Sequence, residues 1–485
     1  MSRINTNTSS LTAQIRLNRT NNDLQTSLTR LSTGLRINTG KDDPAGLIAS
    51  EALRSDITSI NKALSNTNRA TQIIATADSA LGQVSSLLND VRGLITEAAN
   101  KGAMSDDEIA ANQLQIDSSL EAINRIAQTT TFQGRKLLDG SLDFQTSHVQ
   151  NMSLVKDMEI NSANLGATGS IAATINVVSS ATQATQTLSV PGKAAAAPHP
   201  LIPAGSISDD LVFQLTGNNG SEVFKFEQGT TVAQMSEAIN LLKDSTGISA
   251  SVGTNQLILT SVGYGTDQAV ALEIISEGSN GNFASSNTGP RRVTGQDVVA
   301  TVNGATTMGK GNTLSINNPT LSFKATLATG IGPNTDIKFN ITGGGAQFQL
   351  GPDVVSNQQA RLGIGSLNTA KLGGVNGRLY QIASDGDASL TKDVTKAAAI
   401  VDEVIGKVAT VRGRLGAFQR TALESNTVSL NDTLTNLTEA QSSIRDADFA
   451  KESAALTRAQ ILVQSGTSVL GIANQSSQSV LSLLR

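Results

Sequence analysis

The chain has 485 residues, a net charge of −4, only 16% charged and 3% aromatic residues, and no cysteine or tryptophan. That length allows three or more domains. The missing cysteines exclude disulfides, iron–sulfur clusters and thiol chemistry, and no basic field or aromatic platform marks nucleic acid or an anionic membrane as a partner. The opening Met1–Ser10 has no apolar core, so no cleavable secretory signal is expected, and no apolar run reaches the roughly 18 residues of a transmembrane helix.

Residues 1–40 are rich in Asn and Thr but carry Leu17, Leu24, Leu28, Leu31 and Leu35, which predicts an amphipathic helix from about residue 8 to 33, ending near Gly34. Asp43-Pro44 reads as the next helix start, with a carboxylate on the free amides and proline in the first turn. Ile57, Ile60, Leu64, Ile74, Ala77, Leu81, Val84, Leu88, Val91, Ile95 and Ala98 then recur at coiled-coil spacing without an intervening proline. One helix of about fifty residues is expected. Ser105–Glu108 is a capping box that opens another, striped by Ile109, Ile116, Leu120, Ile123 and Ala127. Short alternating segments from Leu137 to Asn164, around Asp139-Gly140, predict one or two hairpins.

Between 165 and about 390 the chain changes character, and every proline except Pro44 lies there. Phe213/Leu215 and Phe224/Phe226 flank Gly217–Gly220 as a hairpin with one apolar face. Leu321/Phe323/Ala325/Leu327 and Ile337/Phe339/Ile341 alternate in the same way. Val232, Met235, Ile239 and Leu242 fit a short helix leading into strands near Ile248 and Leu257–Leu259, and Ala194–Pro203 reads as a hinge-like link. Helical periodicity returns near Leu390 and continues through Leu430, Leu434, Leu437 and Ile444.

The last stretch, Phe449–Arg485, carries one unbroken seam in steps of three and four: Phe449, Glu452, Leu456, Ala459, Val463, Gly466, Leu470, Ala473, Ser477, Val480 and Leu484. Such a helix would be about 54 Å long at roughly 1.5 Å per residue. Ordering each residue costs about 1–2 kcal/mol, so the seam needs partners: the N-terminal helix, neighbouring copies, or both. The fold class is therefore a mainly α core, with long coiled-coil-like helices from both termini, and an inserted β-rich outer region.

Catalytic candidates are thin. His148 and His199 are the only histidines, read as loop residues, and no His-Glu-x-x-His occurs. Asp446, Asp448 and Glu452 read as helix charges rather than a metal site, and Gly373–Gly377 reads as a turn, lacking the lysine of a phosphate loop. No enzymatic activity, metal or cofactor is expected.

Leu31-Ser-Thr-Gly-Leu-Arg-Ile-Asn-Thr-Gly-Lys-Asp-Asp-Pro-Ala-Gly46 resembles the signature of bacterial flagellin. Ala440-Gln-Ser-Ser-Ile-Arg-Asp-Ala-Asp-Phe-Ala450, Gln460–Gln464 and the closing Leu483-Leu484 resemble its C-terminal counterpart. Thr131–Gly134 followed by Lys136–Gly140 is similar to the family's turn after its third helix, and Thr231–Ser261 resembles its IN motif. The resemblance covers roughly residues 1–140 and 391–485. It implies 1–40 with 450–485 as an inner terminal coiled coil and 41–164 with 391–449 as a helical bundle with small hairpins. Residues 165–390 would then be a β-rich variable insert of one or two modules.

The resemblance further implies a subunit that polymerises with itself into an extracellular flagellar filament, exported through the flagellar type III apparatus without a cleaved signal. Its implied partners are a cap protein at the filament tip, a hook-associated junction protein and an export chaperone on the C-terminal tail, with neither nucleic acid nor membrane. Arg36, Asn38, Asp42 and Asp43 would form an inter-domain or inter-subunit loop. Flagellins that trigger the vertebrate innate receptor usually carry Arg and Glu where this chain has Asp90 and Gln115; Arg92 and Leu94 are kept, which implies a degraded receptor patch. A hook–filament junction protein is the close alternative, and a filament-displayed enzyme or an adhesin are more distant ones.

Overall fold

The computed structural model describes residues 6–166, 168–192 and 203–483, with the side chains of the last helix described as far as Gln475. The link expected at Ala194–Pro203 falls almost wholly outside the described residues. So do His199, Leu484 and the side chain of Val480.

Helix α1 (Thr8–Thr33) starts where the Asn7 side chain accepts from the Ser10 amide, and ends at Gly34 in the left-handed conformation. Asp43 Oδ1 accepts from the Gly46 amide at 2.9 Å and caps α2 (Pro44–Ala98), 55 residues without an internal proline. The capping box predicted at Ser105 and Glu108 opens α3 (Asp106–Thr129). Two short helices follow α4 (Val232–Leu241), namely α5 (Lys243–Thr246) and α6 (Phe283–Ser286). Helix α7 (Val394–Phe418) starts where Asp393 caps the Lys396 amide. Leu390, expected to begin the helical run, is instead buried in the turn before it. A π-helical turn, Gln419–Glu424, leads into α8 (Ser425–Arg445), and Asp448 caps α9 (Phe449–Leu483).

The chain divides into two compact units. One comprises Met1–Thr71, Gln349–Gln358 and Phe418–Arg485; the other comprises Gln72–Phe348 and Gln359–Ala417.

In the first unit α1 packs on α9, and Ile60 and Ala63 of α2 form a small core with Leu430, Leu434 and Leu437 of α8. In the second unit the stripes Ile74–Ala98 of α2, Ile109–Ala127 of α3 and Ala397–Leu415 of α7 are buried at three- and four-residue spacing. The ion pairs Arg412–Asp78 (2.9 Å) and Arg92–Asp402 (2.8 Å) set α7 antiparallel to α2. The buried Gln113 amide of α3 donates to the Ile382 carbonyl and accepts from the Leu390 amide, which ties the returning chain to the helices.

The β-rich part of the second unit has two cores. A five-stranded and a four-stranded antiparallel sheet share the first, around Ile175, Phe323, Phe339 and Ile341. The second lies within residues 184–283, where α4 and two further sheets enclose Phe213, Phe224, Phe226, Met235 and Phe283. The hairpin of Leu211–Thr216 with Ser221–Phe226 forms as expected. Its turn needs glycine at 217, because a Cβ there would stand 2.0 Å from the Thr246 carbonyl oxygen.

The hairpins expected around Asp139-Gly140 are not found. A two-residue hairpin turns on Gln133-Gly134, while Phe144–Gln150 and Val155–Ala163 join different sheets, pairing with Thr335–Gly344 and Leu321–Leu327. Val155–Ala163 buries Ile160 and Ala163, and Phe144–Gln150 its Phe144, in the shared sandwich core instead of against each other. His148 is likewise no loop residue: it sits within Phe144–Gln150 at φ +50°, where the pairing register shifts.

Candidate functional site: the terminal helix pair

Helices α1 and α9 run antiparallel. Asn7 Nδ2 donates to the Ala473 carbonyl, the Ser10 hydroxyl to Asn474, and the Arg30 guanidinium to Glu452 at 3.0 Å. Along α9 the least exposed positions include Glu452, Leu456, Ala459, Val463, Gly466, Leu470 and Ala473; Glu452 and Ala459 are buried outright. Leu17 of α1 packs on Gly466, where a Cβ would lie 3.1 Å from Leu17 Cδ1. Small residues on α9 thus let the leucines of α1 approach closely.

Not every residue expected on the seam lies there. Leu17, Leu24 and Leu31 are half-buried, but Leu28 is 48% exposed, and Ser27, at 7%, takes the inward position. The regular steps are Leu17, Thr20, Leu24, Ser27 and Leu31, so two polar residues complete the stripe that a search for leucines misses. A signal was present: their spacing of three and four fits the same heptads. Leu35 lies beyond the helix and makes an isolated bridge to Asp446. Phe449 is 73% exposed, because α1 ends opposite the start of α9 and leaves it nothing to pack against.

The pair shares one face and leaves others apolar. Leu11, Ile15 (61%) and Leu28 of α1 are exposed, as are Ile461 (59%), Leu462, Val469 and Ile472 (67%) of α9. Large exposed apolar patches on soluble chains mark interaction surfaces.

The loop between α1 and α2 is held within this chain. The Arg36 amide donates to the Arg445 carbonyl at 2.7 Å and its guanidinium to the Ile444 carbonyl, while Asn38 Nδ2 donates to the Leu35 carbonyl. Asp42 accepts from the amides of Thr39 and Asn38, and these bonds hold its carboxyl below its ordinary value of 3.8. A depressed carboxylate pKa stabilises the loop above the unfolded value, and that contribution is lost as pH falls through the folded pKa. Amide resonances of Asn38 and Thr39 should therefore titrate with a midpoint below 3.8; a midpoint at or above it would contradict the assignment.

Asp90, Arg92 and Gln115 are exposed and Leu94 is half-buried; Arg92 is engaged by Asp402 of α7. Asp446 accepts from the Ser442 hydroxyl, Asp448 caps α9 and Glu452 meets Arg30, so these three carboxylates have separate tasks. Gly373–Gly377 is a turn closed by the Gly374 amide on the Gly377 carbonyl. Among the described residues no group of His, Asp or Glu is arranged to hold a metal, and no helix is long and apolar enough to cross a membrane.

Three family models match: the bacterial flagellin N-terminal helical region over residues 4–143, its C-terminal helical region over 398–484, and the flagellin hook IN motif over 212–263. The chain is 30% identical to the B-type flagellin of Pseudomonas aeruginosa and 30% identical to a flagellin of Salmonella typhimurium, covering 99% of each chain in both cases. Among solved structures, the flagellar junction protein FlgL of Legionella pneumophila aligns with 82% of this chain and 99% of its own. Its identity is 14% and its TM-score 0.29, too low to bear on function.

Proposed function

Given that this chain belongs to the bacterial flagellin family and is a structural subunit of the flagellar filament, we propose that the α1–α9 pair is the part of it that polymerises. The observation that carries this reading is the set of exposed apolar side chains around the pair, from Leu11 and Ile15 on α1 to Ile461 and Ile472 on α9. Helices that are apolar beyond their shared seam are buried by further helices, and identical copies supply those. The seam residues Leu17, Leu24, Leu31, Leu456, Ala459, Val463, Leu470 and Ala473 hold the pair in register, while its outer faces meet neighbouring subunits. Full-length likeness to filament flagellins favours this over a junction protein.

Several finer roles rest on the same reading. The loop of Arg36, Asn38, Asp42 and Asp43 contacts adjoining subunits. The filament grows beneath a cap protein and starts from a junction protein, and an export chaperone covers α9 before secretion without a cleaved signal. The chain works as a structural protein and not as an enzyme; its β-rich insert faces outward.

Deleting residues 450–485 tests the central claim. The second unit contains none of those residues. The truncated chain should remain a soluble monomer with its main unfolding transition in place, and should form no filaments when seeded. Normal filaments from it would refute the reading.

The degraded receptor patch gives a second expectation. With Asp90 and Gln115 where potent agonists carry Arg and Glu, and with Arg92 engaged by Asp402, the monomer should stimulate innate-receptor reporter cells weakly. A response equal to that of a potent flagellin at equal dose would overturn it.

A further inference from the structure

The second unit contains a cavity of about 490 Å³ that filament assembly does not explain. That volume is within the range of small-ligand sites. One wall is apolar and drawn from separated segments: Leu81 of α2, Val408 and Val411 of α7, Leu138, and Ile160 of the strand Val155–Ala163. Leu81, Leu138 and Val408 are packed behind the surface, and the half-buried Met152, Val155, Met158 and Val411 present the apolar area a guest can reach. Met152 and Met158 add flexible, polarisable surface that adapts to a guest.

The polar lining is unbalanced. Five cations face three carboxylates there. Lys407 is paired with Asp157, and Arg414 with Glu159. Arg378 is half-buried and gives its guanidinium to the carbonyls of Lys371 and Gly373, with no ion pair to a carboxylate among the described residues. Arg414 bonds through both terminal nitrogens, yet its Nε–H is buried and has no acceptor. Apolar walls with surplus cationic donors suit one chemical class.

We propose that this cavity binds a small organic anion with an apolar body, of the medium-chain carboxylate type, its carboxylate near Arg378 and its chain against Met152, Val155, Met158 and Val411. The site is independent of polymerisation, since none of its lining belongs to the α1–α9 pair.

The test is a titration of full-length monomer, carrying ¹³C-methyl methionine, with decanoate. Six methionines are present, of which Met152 and Met158 line the cavity. Their signals should shift together and saturate at one equivalent, while Met235 in the second β core and exposed Met308 stay in place. Decanol, without charge, and acetate, without a chain, should each bind at least about tenfold more weakly. Val411→Trp, which fills the cavity, should abolish the shifts; Lys371→Glu, a reversal at the exposed rim, should weaken binding without filling it. Met308 shifting in parallel with Met152 and Met158, or decanoate binding that persists in Val411→Trp, would mean adhesion to exposed apolar surface and overturn the proposal. So would no shift in the wild-type chain, a result that needs no variant to fold.

Discussion

Val463→Asp should yield a monomer with the wild-type main unfolding transition that forms no filaments under seeded, salting-out conditions. Val463 is half-buried on the α9 face that also carries Ala459 and Gly466, even in a single chain. Polymerisation by way of this pair would remove the rest of its water. A carboxylate held there without a partner costs several kcal/mol, and a loss of only about 1.4 kcal/mol per subunit already weakens association roughly tenfold. The alternative, splaying the helices so that the introduced carboxylate stays hydrated, breaks the leucine contacts that set the register. Leu470→Asp has the same expected outcome. The readout is electron microscopy of seeded samples beside a melt of the same protein; wild-type filaments from either variant would show that the seam stays wet in the polymer.

Gly466→Leu should have the second largest effect, by the opposite route. Leu17 Cδ1 lies 3.1 Å from where a Cβ at 466 would stand, so even alanine needs a small adjustment and a branched side chain has no room. Overpacking of this kind typically costs about 1–3 kcal/mol, which corresponds to a rise of roughly 5- to 160-fold in the monomer concentration needed for assembly. The same contact offers a rescue. Leu17→Ala vacates the space, so the double variant should assemble better than Gly466→Leu alone, and a double-mutant cycle should give a clear coupling energy. Strictly additive effects would mean that the two residues do not meet in the assembled state.

Much of the helical architecture is legible locally. Asp43-Pro44 and the capping box at Ser105 start helices where expected, and the stripe from Ile74 to Ala98 is buried residue by residue. Caps and 3.6-residue periodicity need only neighbouring residues, so a local pattern suffices. The α1 seam is only half legible. Its leucines mark the stripe, but Thr20 and Ser27 carry no apolar signal, although facing a small-residue helix suits small side chains. Leu28 is apolar and reads as inward, yet it points outward.

The β-rich part is less legible, because alternation reveals a strand but not its partner. Val155–Ala163 pairs with Leu321–Leu327, far away in sequence, and Phe144–Gln150 with Thr335–Gly344. Nothing near Asp139-Gly140 encodes those pairings; they follow from which faces can bury one another once the helices bring residues 138–164 and 359–417 together within the second unit. The charge surplus around Arg378 and Arg414 is hidden for the same reason, since its residues come from separated segments.

By itself, then, the sequence determined that both ends are long helices with apolar seams in need of partners, that a β-rich region interrupts them, and that cysteine chemistry is impossible. Only the tertiary structure decided which polar residues complete the α1 seam, which strands pair across the insert, and where a cavity opens among charges. Periodicity and capping are short-range properties of the backbone, whereas strand partners and cavities depend on how distant surfaces share one core.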